Sequence, residues 1–85
     1  MVRIAVRIGG GICGLSRVEN RLLHFSERVT LEKVMQELAR EVGRDVLRDY
    51  VMVIVNGRAV QKEKFSQYRL EDGDVVAVIR AVAGG

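Results

Sequence analysis

The hydrophobic period of this chain changes twice, and that restricts its fold more than any other feature. Residues 2–8 alternate, with Val2, Ile4, Val6 and Ile8 on one side and Arg3, Ala5 and Arg7 on the other. A period of two in β-branched residues predicts a half-buried strand. From residue 30 to 42 the period lengthens: Leu31, Val34, Met35, Leu38, Ala39 and Val42 recur at the spacing of one helix face. Thr30 suits the N-cap, because its hydroxyl can accept a first-turn N–H. Glu32 suits the positive start of the helix, and Gly43 the left-handed residue beyond its end. Strand-type sequence then returns at Val51–Val55 and at Val75–Ala81.

Turn chemistry separates these segments. Gly9-Gly10-Gly11 breaks the first strand, and a weaker second strand is expected over Arg21–Phe25. Asn56-Gly57 accepts positive φ at both central positions of a type I′ turn, so Arg58–Val60 should return as a hairpin. Residues 61–69 are expected to hold a short helical turn, and Leu70-Glu71-Asp72-Gly73-Asp74 another reversal. The order β-β-α-β-β-β predicts an α+β fold, a sheet of four to five strands with one main helix packed on one face. The first and last strands are the most apolar and belong in the middle of the sheet. Val51–Val55 and Val75–Ile79 are apolar on both faces, whereas a sheet covered on one side alternates more cleanly. Either the sheet is better covered than one helix allows, or part of its open face meets a partner.

Length and charge narrow the functional classes. Eighty-five residues predict a single domain, residues 1–85. The longest apolar runs are Val75–Ile79, of five residues, and Tyr50–Val55, of six, far below the roughly 20 of a membrane-spanning helix, so no membrane partner is expected. Met1-Val2-Arg3-Ile4 lacks the apolar core of a signal peptide, and the reading is a soluble, cytoplasmic protein. One cysteine excludes an internal disulfide. With one histidine it cannot complete a Cys/His zinc site, so no metal is expected, and the same shortage argues against nucleophilic catalysis. The net charge is +3, from eleven Arg and three Lys against eleven acids. Acids are interleaved with bases at Glu37, Arg40, Glu41, Arg44, Asp45, Arg48 and Asp49, the pattern of a solvated face rather than a basic patch. No nucleic-acid partner is expected.

Several residues invite sharper readings. Gly9, Gly11 and Gly14 spell G-x-G-x-x-G, but the following Leu15–Asn20 carries no helical stripe, so a strand-to-strand loop is expected instead of a nucleotide site. Cys13 in that loop has no basic neighbour to activate it and reads as a bystander thiol. His24, beside Phe25 on an expected strand, reads as a sheet-edge or partly buried structural histidine. Tyr50, Phe65 and Tyr68 read as core or core-rim aromatics around the helix. After Arg80, the tail Ala81-Val82-Ala83-Gly84-Gly85 (81–85) is thin and free of charged side chains. Such a tail can thread a narrow channel and present a carboxylate that no side chain obstructs; the plain alternative is a frayed terminus.

Taken together, Asn56-Gly57, Leu70-x-Asp72-Gly73-Asp74, the apolar strand after it and the terminal Val82-Ala83-Gly84-Gly85 resemble the ubiquitin-like sulfur carriers of the β-grasp fold, the ThiS and MoaD types. The stretch Asn56–Asp74 and the tail Arg80-Ala81-Val82 are nearer the thiamine type. The longer N-terminal half, with its glycine loop, is nearer the molybdopterin type. The resemblance implies a carrier, not an enzyme, with no bound cofactor. It implies two partners, a ubiquitin-activating-type adenylating enzyme that uses ATP and a sulfur-accepting synthase. In such carriers the terminal carboxylate, here that of Gly85 following Gly84, becomes an acyl-adenylate and then a thiocarboxylate. Val82 and Ala83 carry over as the segment that enters the partner, and Arg80 as a contact at its root. Asp72, Gly73 and Asp74 match a structural turn. A ubiquitin-like protein modifier, conjugated to lysines through the same terminus, is the alternative.

Overall fold

The first and last strands pair side by side in parallel, and the rest of the sheet is built outward from them. The computed structural model describes residues 1–12, 14 and 17–81. Its strands are β1 (Val2–Ile8), β2 (Glu19–Phe25), β3 (Val29–Thr30), β4 (Val51–Val55), β5 (Arg58–Val60), β6 (Arg69–Leu70) and β7 (Val75–Arg80). The helix α1 (Leu31–Val42) follows β3, and short 3-10 turns occupy Arg44–Leu47 and Lys62–Lys64. The main sheet has five strands in the order β2-β1-β7-β4-β5, and β3 with β6 forms a second, two-stranded sheet. Strand β1 is antiparallel to β2 and parallel to β7, while β4 is antiparallel to both β7 and β5. Both β1 and β7 are therefore interior strands, as their apolar character predicts.

One face of the sheet packs on the helix. Ile4, Val6 and Ile8 of β1, Val76 and Val78 of β7 and Val53 and Val55 of β4 are buried there against Leu31, Val34, Met35 and Leu38 of α1. The N-cap is as expected: the Thr30 hydroxyl accepts from the Lys33 amide at 3.2 Å. The hairpin turn also has the expected form, with φ of 49° at Asn56 and 86° at Gly57.

Local details differ from the sequence reading. Strand β2 begins at Glu19 rather than Arg21, because the residues opposite Arg7 and Ile8 complete the ladder of β1. Gly43 has φ 119° and ψ 156°, so its φ is positive but its ψ is extended rather than left-handed helical. That region is open essentially to glycine alone, and it turns the chain directly into the 3-10 turn Arg44–Leu47. Tyr50 is not a core aromatic. It is 36% exposed and packs under Arg80, whereas Phe65 and Tyr68 do rest against the core. Ile12, inside the glycine loop, is fully buried and pins that loop to the body.

Candidate functional site

The uncovered face of the sheet is apolar across four strands. Cross-strand partners point to the same side, so the registers Ala5↔Leu22, Ala5↔Val75, Arg7↔Ala77, Ile54↔Ala77 and Met52↔Ile79 define one surface opposite the helix. Its largest apolar side chains remain accessible: Leu22 by 56%, Val75 by 45%, Met52 by 42% and Ile79 by 37%. The main helix packs on the other face, so the excess apolar character of β4 and β7 is an exposed patch. Arg7 sits on this face and makes no ion pair with any described residue. His24, on the edge strand β2, is exposed on the same face opposite Arg3.

The same sheet carries the chain as far as Ala81, at the end of the interior strand β7. Because β1 and β7 run in parallel, the glycine loop that follows β1 lies beside the end of β7. The Gly9 amide donates to the Val78 carbonyl at 2.7 Å. Beyond β7, the Ala81 amide donates to the Tyr50 carbonyl at 2.7 Å, extending the β4–β7 ladder by one residue. The Arg80 guanidinium lies 4.8 Å from the centre of the Tyr50 ring, and its Nη1 donates to the Gly11 carbonyl at 3.4 Å. A groove of about 660 Å³ opens beside Ala81, with Val51, Val60 and Phe65 in its lining and Lys62 at its rim. Val82, Ala83, Gly84 and Gly85 lie outside the described residues, as does Cys13. Of the expected site, the structure thus places Arg80 and the root of the tail.

The Leu70–Asp74 turn is tied to the body from several directions. Leu70 is fully buried, and Asp72 accepts the Arg3 amide at 2.7 Å and its Nε at 3.3 Å. The Gly73 amide, at a φ of 92°, donates to the Arg3 carbonyl at 2.9 Å. The side-chain hydrogen bond from Arg3, reinforced by its backbone amide, holds the Asp72 carboxyl below the usual carboxylate range; the same pairing raises Arg3. The expected structural role of Asp72, Gly73 and Asp74 thus has a physical basis. The element that follows the G-x-G-x-x-G spacing is the strand β2, not a helix. Surface charges pair locally, as at Arg40–Glu37 and Arg48–Asp45. Sequence reasoning missed Tyr50 as a neighbour of the tail root. The one signal for it was an aromatic directly before an apolar strand.

A five-stranded mixed sheet, one helix across one face and an exposed apolar face on the other define a ubiquitin-like β-grasp protein. The ThiS family model matches residues 15–85, and the chain belongs to that family, which makes it a carrier of the ThiS/MoaD type. Three solved structures show the same fold. A chain of the complex of subunits 1 and 2 of molybdopterin-converting factor from Helicobacter pylori 26695 is 21% identical, with a TM-score of 0.69 over 99% of this chain and 100% of that one. The thiamine biosynthesis protein ThiS from Geobacter metallireducens is 22% identical, with a TM-score of 0.60 over 93% and 99%. Urm1 from Trypanosoma brucei is 22% identical, with a TM-score of 0.62 over 98% and 95%. No curated protein matches the chain. Among the described residues no helix is long and apolar enough to cross a membrane.

Proposed function

We propose that this chain carries sulfur as a thiocarboxylate on Gly85, for thiamine, molybdopterin or related cofactor synthesis. The observation that carries the reading is the ThiS family match, which runs through Gly84 and Gly85. A carboxylate is inert toward sulfur nucleophiles until it has a leaving group. A ubiquitin-activating-type enzyme supplies one: the Gly85 carboxylate attacks the α-phosphate of ATP, pyrophosphate departs, and an acyl-adenylate forms. A persulfide then attacks the acyl carbon and expels AMP. A thiol reduces the resulting acyl disulfide, leaving the thiocarboxylate for a sulfur-accepting synthase. Glycine suits both attacks, since it has no side chain beside the reacting carbonyl.

In this reading the open face around Met52, Ile54, Val75 and Ile79 binds the partners, and the tail 82–85 enters their active sites. A surface of this kind gives affinity through burial of apolar area, while the reacting groups stay on the tail. The complex of the two molybdopterin-converting-factor subunits supports a synthase as one partner. The likeness to Urm1 favours a second reading, in which the adenylate is captured by a lysine of another protein.

Mass spectrometry of the C-terminal peptide from protein purified out of its own host tests the proposal. Trypsin cleavage after Arg80 releases residues 81–85, which contain neither Met nor Cys. Exchange of oxygen for sulfur adds about 16 Da, and the absence of oxidisable sulfur keeps oxidation from imitating it. The shifted peptide is the expected result. Gly-Gly remnants on lysines of other proteins, without the shift, would support the modifier instead.

A further inference from the structure

We infer that Arg80 is a positioning residue for the tail, acting through Tyr50 and Gly11 of its own chain instead of through a direct contact with a partner. The inference rests on the reading of residues 82–85 as the segment delivered to an adenylating enzyme. Arg80 is the last residue of β7, opposite Val51 in the ladder with β4. Its guanidinium is engaged from two sides: the Tyr50 ring lies 4.8 Å away on the β4 side, and the Gly11 carbonyl accepts Nη1 at 3.4 Å on the β1 side. The Tyr50 backbone carbonyl also accepts the Ala81 amide at 2.7 Å. One cation therefore bridges the two elements that flank the end of β7. Gly11 stands in a loop whose Gly9 is hydrogen-bonded to Val78 and whose Ile12 is fully buried, so the bridge is anchored on the body at both ends.

The physical consequence is directional. Without the bridge, Ala81 is held by one backbone hydrogen bond at the frayed end of a ladder. With it, Ala81 is held at the end of β7, and the four residues beyond it start from a defined point. Tethering the root lowers the ordering cost when the tail is threaded, which is the general advantage of preorganisation. An exposed cation–π contact contributes modestly, so the effect should be about two- to five-fold.

The test uses the full chain with Arg80→Ala, Arg80→Lys, Tyr50→Leu, Tyr50→Phe and the double variant Arg80→Ala/Tyr50→Leu. The first readout is hydrogen exchange of the Ala81 amide, measured by NMR on the carrier alone after thermal melts confirm folding. It should quicken about two- to five-fold in Arg80→Ala and Tyr50→Leu and return toward wild type in Arg80→Lys and Tyr50→Phe. Unchanged exchange in the alanine and leucine variants overturns the inference. The second readout is carrier-dependent pyrophosphate exchange into ATP, in host extract depleted of the native carrier. Arg80→Ala and Tyr50→Leu should raise KM by similar factors with kcat retained, and the double variant should be no worse than either single one. An Arg80→Ala defect with Tyr50→Leu silent would show that Arg80 touches the partner directly, and no defect in either would remove the positioning role. If the wild-type chain supports no exchange into ATP, the proposed function fails, while amide exchange still decides whether the clamp exists.

Discussion

Asn56, in the β4–β5 hairpin turn, is bonded side chain to side chain with Asp74, the residue just before β7. Its Nδ2 donates to the Asp74 Oδ1 at 3.0 Å, and its Oδ1 accepts the Val75 amide at 2.9 Å. The Asn56 backbone amide meanwhile donates to the Val75 carbonyl at 2.9 Å. Asp74 uses its other oxygen to accept the Glu71 amide at 2.8 Å, closing the turn that precedes β7. Two turn motifs 18 residues apart are thus one hydrogen-bonded unit. That unit fixes where β7 starts, and so the register that carries the chain to Ala81.

Substitutions at Asn56 should separate its two contributions. Asn56→Gly keeps a backbone suited to positive φ and loses the side-chain bonds, at a cost of roughly 1 kcal/mol at this exposed site. Asn56→Ala loses the bonds and also strains a φ of 49°, adding roughly another 1 kcal/mol. Urea unfolding measures both. Equal midpoints for the two variants would mean that φ at this position carries no cost.

The Arg3–Asp72 pairing predicts a pH dependence with a definite sign. The folded-state pKa of Asp72 is lowered, so the pairing stabilises the fold above the unfolded carboxylate value of about 3.9 and is lost as pH falls through the lower folded value. Arg3 is raised from an already high value and titrates only in strong alkali. Asp72→Asn should therefore melt below wild type near neutrality and converge with it in acid, once the pH has fallen through the lowered folded value. Both partners are well exposed, so the difference should also shrink with added salt. Parallel melting curves at all pH values would remove Asp72 from the acid response.

The parts legible in the sequence were those with a repeating signal or a demanding turn. The stripe from Leu31 to Val42 defined α1, and Asn56-Gly57 defined the hairpin, because a single backbone geometry suits each. Strands β3 and β6 were not legible, since two residues cannot display a period. Ile12 was missed because an isolated apolar residue among glycines carries no pattern, although it is fully buried. The open face was half legible: β4 and β7 showed excess apolar character, but only the register showed that Met52 faces out beside Ile79. The contact of Arg80 with Tyr50 depends on the antiparallel pairing of strands distant in sequence, which no local signal encodes.

The helix face can be tested by truncation at its centre. Leu38 is fully buried in the core cluster, on the same face of α1 as Val34 and Met35. Leu38→Ala should cost about 2–5 kcal/mol through lost burial and the cavity left behind. A domain of this size has a total stability of about 4 to 13 kcal/mol, so a large share of the folded state is at stake. The urea midpoint should fall sharply with the slope unchanged, and an unaltered midpoint would show that the core does not depend on this contact.

The tail is predicted to be dispensable for folding and indispensable for chemistry. Among the described residues the last buried member of the core is Val78, ahead of Arg80 and the root of the tail. Deleting Gly85 should leave the melting temperature at its wild-type value and abolish carrier-dependent pyrophosphate exchange into ATP. A drop in melting temperature would mean that the terminus packs on the body and has a structural role.

The open face separates recognition from chemistry in the same way. Met52 and Ile79 are cross-strand partners that stay accessible, whereas Val53 and Val78, their neighbours along the strands, are buried partners on the helix side. A charge at Met52 or Ile79 enters no core, so Met52→Asp and Ile79→Asp should melt close to wild type. If this face binds the partners, each charge must be desolvated without a counterion in the complex, a change of hot-spot size, and affinity should fall about 10-fold or more. Val78→Asp is the contrasting control. It places the carboxylate beneath α1 and should abolish folding. Titration calorimetry with the adenylating enzyme, alongside thermal melts, distinguishes the cases. Full affinity in both open-face variants would place the partner interface elsewhere and leave the apolar patch without a role.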